Sequence, residues 1–500
     1  MHQGGGLRAV KKILGTETEY GIVAQSPEAP DPVSNSIFLV NSYPSLPAAS
    51  VLWNYENENP LLDARGYEAD GERERPGPEY NRLLNKLLPN GGRLYVDGAH
   101  PEYSTPECTN ALDLLVYEKA GDRLIEDALE MTRSLKRGTV ALSIYKNNSD
   151  GKGNSYGYHE NYLLDRKRSF DKIVAHLMPF LVTRQIFAGS GKVGYENKTD
   201  PVHYQLSQRA DFFETLVDLN TMVKRPIINT RDEPHADRER YRRLHVIVGD
   251  TNMAEVSTFL KVGTLSLVLA MFEAGCEVKG VDLQDPVRSI KAVSRDLALK
   301  EKIPLLRGKS ATAIEIQRVY LEAAARHFEK DEDPVTREIL TRWRVILDKL
   351  EEDPMQLTRE LDWVIKKALI ESYIERKGCD WKDSRIALMD LQYHNLDRKK
   401  GLFFPLERGG YVETLVSPEQ VMFAEKHPPH DTRAYFRGVC LKKFGKEIYS
   451  ASWTSVLFDV GEAVMKKVPL MDPWKGSEAL VGPLLKEANS VGTLLDRIGA

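Results

Sequence analysis

Residues 10–23 constrain the chain most. β-branched and apolar residues lead into Gly15-Thr16-Glu17-Thr18-Glu19-Tyr20-Gly21, the pattern of a β-strand. Successive side chains of a strand point to opposite faces, so Glu17 and Glu19 share one. Two neighbouring carboxylates repel each other unless something positive lies between them. A divalent metal relieves that repulsion, because hard cations choose carboxylate oxygens; so do Lys or Arg partners, or a solvated face. Arg93-Leu94-Tyr95-Val96-Asp97 repeats the alternation, with Arg93, Tyr95 and Asp97 on one face. A guanidinium, a phenol and a carboxylate suit phosphate, metal and acid–base roles, or simply a polar outer face. Glu102 follows directly after Pro101, whose ring restricts the backbone there.

Residues 141–145 and 244–248 read as further strands, and Leu112, Leu115, Val116, Leu124, Ile125, Ala128 and Leu129 recur at helical spacing. The latter predict a helix pair packed behind the strands. Between 34 and 89 the pattern breaks at Pro44, Pro47, Pro60, Pro76, Pro78 and Pro89, which predicts a long loop at about 40–85. The charged run at 71–78 makes that loop flexible. Residues 311–375 form a helical block, opened by Thr312 and Glu315 at capping-box spacing. Its apolar stripes are Trp343, Ile346, Leu347 and Leu350, then Trp363, Val364, Ala368 and Leu369. His427-Pro428-Pro429-His430 punctuates the chain, so 1–430 reads as the main domain and 431–500 as a small one.

Composition excludes several classes. With 500 residues, 42% of them hydrophobic, the chain is not globally disordered. Lys and Arg (69) nearly balance Asp and Glu (73), which argues against a nucleic-acid protein held by bulk charge. The four cysteines form no C-x-x-C pair, so the expectation is a reducing compartment with neither a zinc ribbon nor a disulfide framework. Residues 1–9 lack an apolar stretch, and the most apolar run, 262–272, falls far short of the ~20 residues of a membrane span. A cytoplasmic protein with no membrane partner is expected. Gly189-Ser190-Gly191-Lys192-Val193-Gly194 looks like part of a phosphate-binding loop, but Ile186 and Val193 stand where the pattern needs Gly and Ser or Thr. It reads as a glycine-rich turn.

His159 ends another glycine-rich turn, the stretch 229–235 is dense in charge, and Arg243 and His245 share a strand face. Separated histidines with several carboxylates and arginines fit a magnesium–nucleotide site. Arginines would neutralise phosphate oxygens and carboxylates would hold the metals.

Together these motifs resemble the Pup ligase/depupylase family. They are the 15–21 and 93–97 strands, His-Pro-Glu-Tyr-Ser at 100–104, Ser-Tyr-Gly-Tyr-His-Glu-Asn-Tyr at 155–162, the stretches 227–237 and 241–247, Asp-Thr-Arg-Ala-Tyr-Phe-Arg-Gly at 431–438 and Ala-Ser-Trp at 451–453. One branch of the family ligates the small protein Pup to lysines; the other deamidates Pup's C-terminal glutamine and removes Pup from lysines. This chain is similar to the second. It carries the long loop between the Glu17 and Arg93 strands that the ligase lacks, with Trp53-Asn54-Tyr55-Glu56 and Leu62-Asp63-Ala64-Arg65-Gly66 as its recurring elements. Its turn at 96–102 is one residue shorter than the ligase's, and it has Thr16 and Tyr20 where the ligase typically has Ile and Phe.

The resemblance implies an α+β, glutamine-synthetase-like fold: a curved, mainly antiparallel sheet forming a cradle, backed by helices, with a small C-terminal domain. It implies an ATP- and magnesium-dependent hydrolase of Pup amide and isopeptide bonds, linked functionally to the bacterial proteasome. The alternatives are the family's Pup–protein ligase and a glutamate–amine ligase acting on a small molecule. Metal ligation falls to Glu17, Glu19, Tyr95, Glu102, His159 and His245. Nucleotide contacts fall to Arg93, Thr105, Asn161, Arg231, Arg243 and Trp453, and Asp97 takes the catalytic position. Pup, as the family implies, is acidic and disordered until bound, and Arg184, Lys192, Arg209 and Arg225 are candidates for its groove.

Overall fold

The computed structural model describes residues 12–25, 30–43, 51–71, 75–135, 141–461 and 464–499. Its organising element is a six-stranded sheet. The strands are β1 (Leu14–Glu19), β2 (Asn85–Leu87), β3 (Arg93–Asp97), β4 (His100–Ser104), β5 (Tyr158–Asp165) and β6 (Tyr241–Val246), in the order β6-β5-β1-β4-β3-β2. Every pairing in it is antiparallel. One face turns Leu94, Tyr103, Tyr158, Tyr162 and Leu244 into the core. The other face carries charge, the division that an antiparallel sheet with one packed face permits.

A single 25-residue helix, Ala111–Leu135, backs the sheet where a helix pair was expected. It approaches so closely that a Cβ on Gly121 would lie 2.1 Å from the Tyr103 ring, so only glycine fits there. Behind it runs Glu255–Glu273, apolar on all sides. By length and composition this helix could cross a membrane, but 89% of its apolar window is buried inside the protein, as in a central core helix. Ala313–His327 begins with the expected Thr312–Glu315 capping box. Pro334–Glu352 buries Trp343, Ile346, Leu347 and Leu350. In Asp362–Lys377, Trp363 and Val364 are buried but Ala368 and Leu369 are only half-buried, and Ile365 and Ile370 complete the inward face.

Two expectations need correction. The chain is α+β, but among the described residues there is no curved or closed sheet. The six strands form an open sheet whose edges, β2 and β6, do not pair, and the other strands fall into separate sheets of two or four. A closed sheet needs its edge strands to hydrogen-bond each other, and β2 is only three residues long. The cradle inferred from the resemblance is therefore withdrawn.

The long Pro-broken segment is also less irregular than expected. Pro32 and Pro78 open helices, Pro32–Ser42 and Pro78–Leu84, at the first helical position, where a missing N–H costs nothing. Leu52–Trp53 joins the strand Ile448–Ala451 in parallel, as the edge of a four-stranded sheet with Ser455–Phe458 and Lys466–Pro469. Pro44 and Pro47, and the charged residues 72–74, lie outside the described residues, as do 1–11. The apolar residues of the last segment, among them Phe436, Phe444, Val456 and Leu494, form a cluster of their own with Val51.

Candidate active site

The polar face of the sheet is assembled by register. β1 lies between β4 and β5, which sets Glu17 opposite both Ser104 and His159, and Glu19 opposite Glu102. β3 sets Tyr95 opposite Glu102 and Asp97 opposite His100. β6 sets His245 opposite Asn161. The alternation read from three strands thus extends across five, and residues far apart in sequence converge on one cavity of about 1370 Å³.

Among the described residues, two groups of three ligand atoms lie in that cavity, each group within 4.8 Å: Glu17, His159 and His245, and Glu19, Asp97 and Glu102. His159 Nδ1 is 3.3 Å from Glu17 Oε2, and its Nε2 is 4.0 Å from Glu19 Oε1. Asn161 donates to Glu17 Oε1 at 3.2 Å and accepts from Arg243 Nη1 at 2.7 Å. His245 Nδ1 is 2.9 Å from the same Asn161 oxygen. Glu102 Oε2 is buried with no hydrogen-bond partner among the described residues. A buried orphan oxygen beside two more carboxylates is the chemistry of a divalent-cation site, and the three-oxygen group suits magnesium. The group with two imidazoles is also open to nitrogen-preferring metals.

The electrostatics agree. Burial alone would raise Glu17, but the His159 hydrogen bond and the Arg243 charge outweigh it and hold Glu17 at about 2. Burial, then the charges of Asp97, Glu19 and Glu17, push Glu102 well above the carboxylate range. Burial and Glu102 raise Tyr95, and burial and Glu19 raise Asp97. Burial and Arg243 drive His245 well below the usual imidazole value. A cation placed among these groups would draw Asp97, Glu102 and Tyr95 back toward their charged forms.

The expected nucleotide residues ring the same space. Arg93 lies between the rings of Trp53 (4.1 Å) and Tyr95 (3.9 Å), and its Nε donates to Asn85 Oδ1 at 2.9 Å. Arg231 lines the large cavity, with its Nε buried and without a hydrogen-bond partner among the described residues. Arg243 is held by Glu233, whose carboxylate is 3.3 Å away. Thr105, Asn161 and Trp453 line a smaller cavity of about 80 Å³, which shares Glu17, Arg243 and Trp453 with the large one. Thr105 Oγ1 accepts from the Thr16 N–H at 3.0 Å, and Trp453 meets Trp53 edge-on at 5.1 Å.

Every residue singled out from the sequence for metal, nucleotide or catalysis therefore lines one of the two cavities. Of the groove candidates, Lys192, Arg209 and Arg225 line the large one. Arg184 does not: it is fully buried in an ion pair with Glu160 on the opposite face. Sequence reasoning missed Asn85, Glu233, His235 and the His100–Tyr156 stack (4.6 Å). Glu233 and His235 lay within the charged 229–235 stretch. Asn85 carried no signal, because its place opposite Tyr95 exists only in the β2–β3 pairing.

Comparison with known proteins adds the following. A family model described as Pup-ligase protein matches residues 12–457. The chain is 47% identical to the depupylase of Acidothermus cellulolyticus, over 97% of this chain and 98% of that one. It is 44% identical to the Pup deamidase/depupylase of Mycolicibacterium smegmatis, over 98% and 100%. It is 42% identical to the Pup–protein ligase of Actinosynnema mirum, over 81% and 91%. Among solved structures it resembles the Pup ligase PafA in complex with Pup (TM-score 0.79, 33% identity, 98% of this chain and 94% of that one). It also resembles PafA with ADP (0.73, 37%, 80% and 89%).

Proposed function

Because the chain belongs to the Pup ligase/depupylase family, we infer that its large cavity is an ATP- and magnesium-dependent hydrolytic site. In this reading it deamidates the C-terminal glutamine of Pup and cleaves the Pup–lysine isopeptide bond. The observation that carries the chemistry is Asp97. Its carboxylate belongs to the Glu19–Glu102 group, yet its side chain is open to the cavity. The observation that favours hydrolysis over ligation is end-to-end likeness to proteins named for it, where the ligase relative covers 81% of the chain.

In this reading Glu17, Glu19, Tyr95, Glu102, His159 and His245 hold magnesium, and Arg93, Thr105, Asn161, Arg231, Arg243 and Trp453 hold the nucleotide. When bound, the two supply the charge balance for the phosphates and for the oxyanion that develops on the amide. Asp97 attacks the amide carbonyl or takes the proton of the water that does. The ring of carboxylates and arginines orients the scissile group and keeps Asp97 among charged partners. Residues 431–500 serve as a small domain on the 1–430 catalytic domain, bringing Arg433 and Trp453 to the smaller cavity.

The solved structures favour the second reading, Pup–protein ligase, since both are ligases and the family model carries the ligase's description. One assay separates the two. With Pup ending in glutamine, ATP and magnesium, a hydrolase releases ammonia and leaves Pup ending in glutamate. A ligase releases none, and consumes ATP only when Pup ending in glutamate and a lysine acceptor are both present.

A further inference from the structure

The glycine-rich turn at 189–194 forms part of the large cavity's wall through Lys192, Val193 and Gly194. It is not built to cradle a phosphate. The N–H groups of Gly189, Ser190, Gly191, Val193 and Gly194 all donate within the protein, and the Lys192 ammonium pairs with Glu196. A phosphate loop keeps such groups for its ligand. The glycines here serve close packing instead. Gly191 has φ +71°, and a Cβ on it would collide with the Tyr204 hydroxyl.

The turn is fastened from behind. Lys366, on the helix Asp362–Lys377, is 0% exposed and so touches nothing that enters the cavity. Its ammonium donates to the Gly191 carbonyl at 2.8 Å, to Asp390 Oδ1 at 2.6 Å and to His394 Nε2 at 2.8 Å. The other Asp390 oxygen accepts from the Val193 N–H at 2.8 Å. His394 Nε2 meets a second donor, the Gln208 side-chain nitrogen at 2.7 Å. That orientation of the amide follows from Gln208 Oε1, which accepts from the Asn148 N–H at 2.7 Å. With two donors aimed at Nε2, the imidazole is a neutral acceptor, and burial and the Lys366 charge drive its pKa well below the usual value. Asp390, His394 and Gln208 all line the cavity. One buried ammonium therefore joins the turn, the helix Ser384–Tyr393 that carries Asp390, and Gln208 into a single wall.

We propose that Lys366 is a positioning residue for the polypeptide substrate: by fixing the 189–194 turn and the wall around it, it sets the affinity for Pup and leaves nucleotide binding alone. The proposal rests on Pup being the substrate and holds for hydrolase and ligase alike. Its direction follows from where the wall lies. The smaller cavity, with Thr105, Asn161 and Trp453, includes no residue of the turn and none of Asp390, His394 and Gln208 among the described residues. The wall held by Lys366 is thus left to the part of the substrate that is not nucleotide. A wall already fixed favours binding, because a loose one must be ordered at a cost to affinity.

The test uses the full-length protein and Lys366→Met, which keeps the length of the side chain and removes its charge. Pup affinity is measured by fluorescence anisotropy, ATP affinity by equilibrium titration with magnesium, and turnover at saturating Pup by ammonia release or conjugate formation. Pup Kd is expected to rise about 10-fold, with ATP Kd and saturated turnover within about twofold of wild type. If a thermal melt shows that Lys366→Met does not fold, Asp390→Asn decides by the same three measurements. Its single side-chain oxygen accepts from Lys366 or from the Val193 N–H but not from both, so one link of the wall is lost. ATP affinity that falls in step with Pup affinity overturns the proposal, since Lys366 would then support the site as a whole. Unchanged Pup affinity in a folded variant overturns it as well, while a wild-type protein that binds Pup keeps the substrate reading. A wild-type protein that binds no Pup removes that reading and the proposal with it.

Discussion

Gly157 sits against the most crowded point of the site. A Cβ there would lie 2.3 Å from His159 Nε2 and 2.7 Å from Glu19 Oε1, so any side chain must displace one member of each ligand group. Gly157→Ala is expected to cut turnover ~100-fold, the scale of an ångström-sized misplacement of catalytic groups, with the fold retained. Steady-state kinetics beside a thermal melt checks it. Asp97→Asn keeps shape and removes charge. It should bind ATP and Pup about normally and lose nearly all hydrolysis. If Asp97 only ligates metal, nucleotide affinity falls in step with rate and added magnesium partly restores turnover. Nucleotide affinity and single-turnover hydrolysis on the same variant decide. At this scale the sequence was informative wherever strand parity carried the signal: Glu17 with Glu19, Arg93 with Tyr95 and Asp97, Arg243 with His245. It was silent on Asn85, because parity within one strand does not say which residue of another lies opposite.

Elements are tied to the site by contacts that no local pattern announces. Leu52–Trp53 was read as loop, yet it is an edge strand whose Trp53 packs on Arg93. Trp53→Ala removes one of the three aromatic rings around that guanidinium, those of Trp53, Tyr55 and Tyr95, a contact worth ~0.5–2 kcal/mol. Nucleotide Kd should therefore rise roughly 2- to 30-fold, read by equilibrium titration, with Pup affinity unchanged. Proline misled for a physical reason. It breaks a helix interior but suits the first helical turn, which is where Pro78 stands.

The segment after β4 is clamped to the helix Ala434–Phe444 by Glu107, which pairs with Arg433 at 2.7 Å and Arg437 at 2.5 Å. Burial would raise Glu107, but the two arginines outweigh it and hold it at about 2 against an ordinary 4.5. A carboxylate depressed on folding contributes stability above its unfolded pKa and loses it as pH falls toward its folded value. Glu107→Gln should therefore cost about 3–5 kcal/mol at neutral pH. That gap to wild type should shrink from pH 4.5 downward and close near pH 2, as measured by denaturant unfolding across pH. A gap independent of pH would mean that the ion pair is not what holds the segment.

At the scale of the whole molecule, the α+β class, the helical block at 311–375 and the convergence of the site residues were legible, but the shape of the sheet was not. Local alternation specifies strands and their faces. Whether a sheet curves or closes depends on which edges meet, and the edge strands β2 and β6 lie more than 150 residues apart in sequence and do not meet. The central claim, that this cavity breaks Pup linkages, is tested most directly from the conjugate. The purified protein is mixed with a Pup–lysine conjugate, magnesium and ATP, alongside controls without nucleotide and without magnesium, and the unmodified target is quantified over time. The account expects free target and Pup ending in glutamate to accumulate only with both cofactors, and no new conjugate to form when free Pup and target are supplied. Intact conjugate, together with net joining of Pup to target, would contradict it.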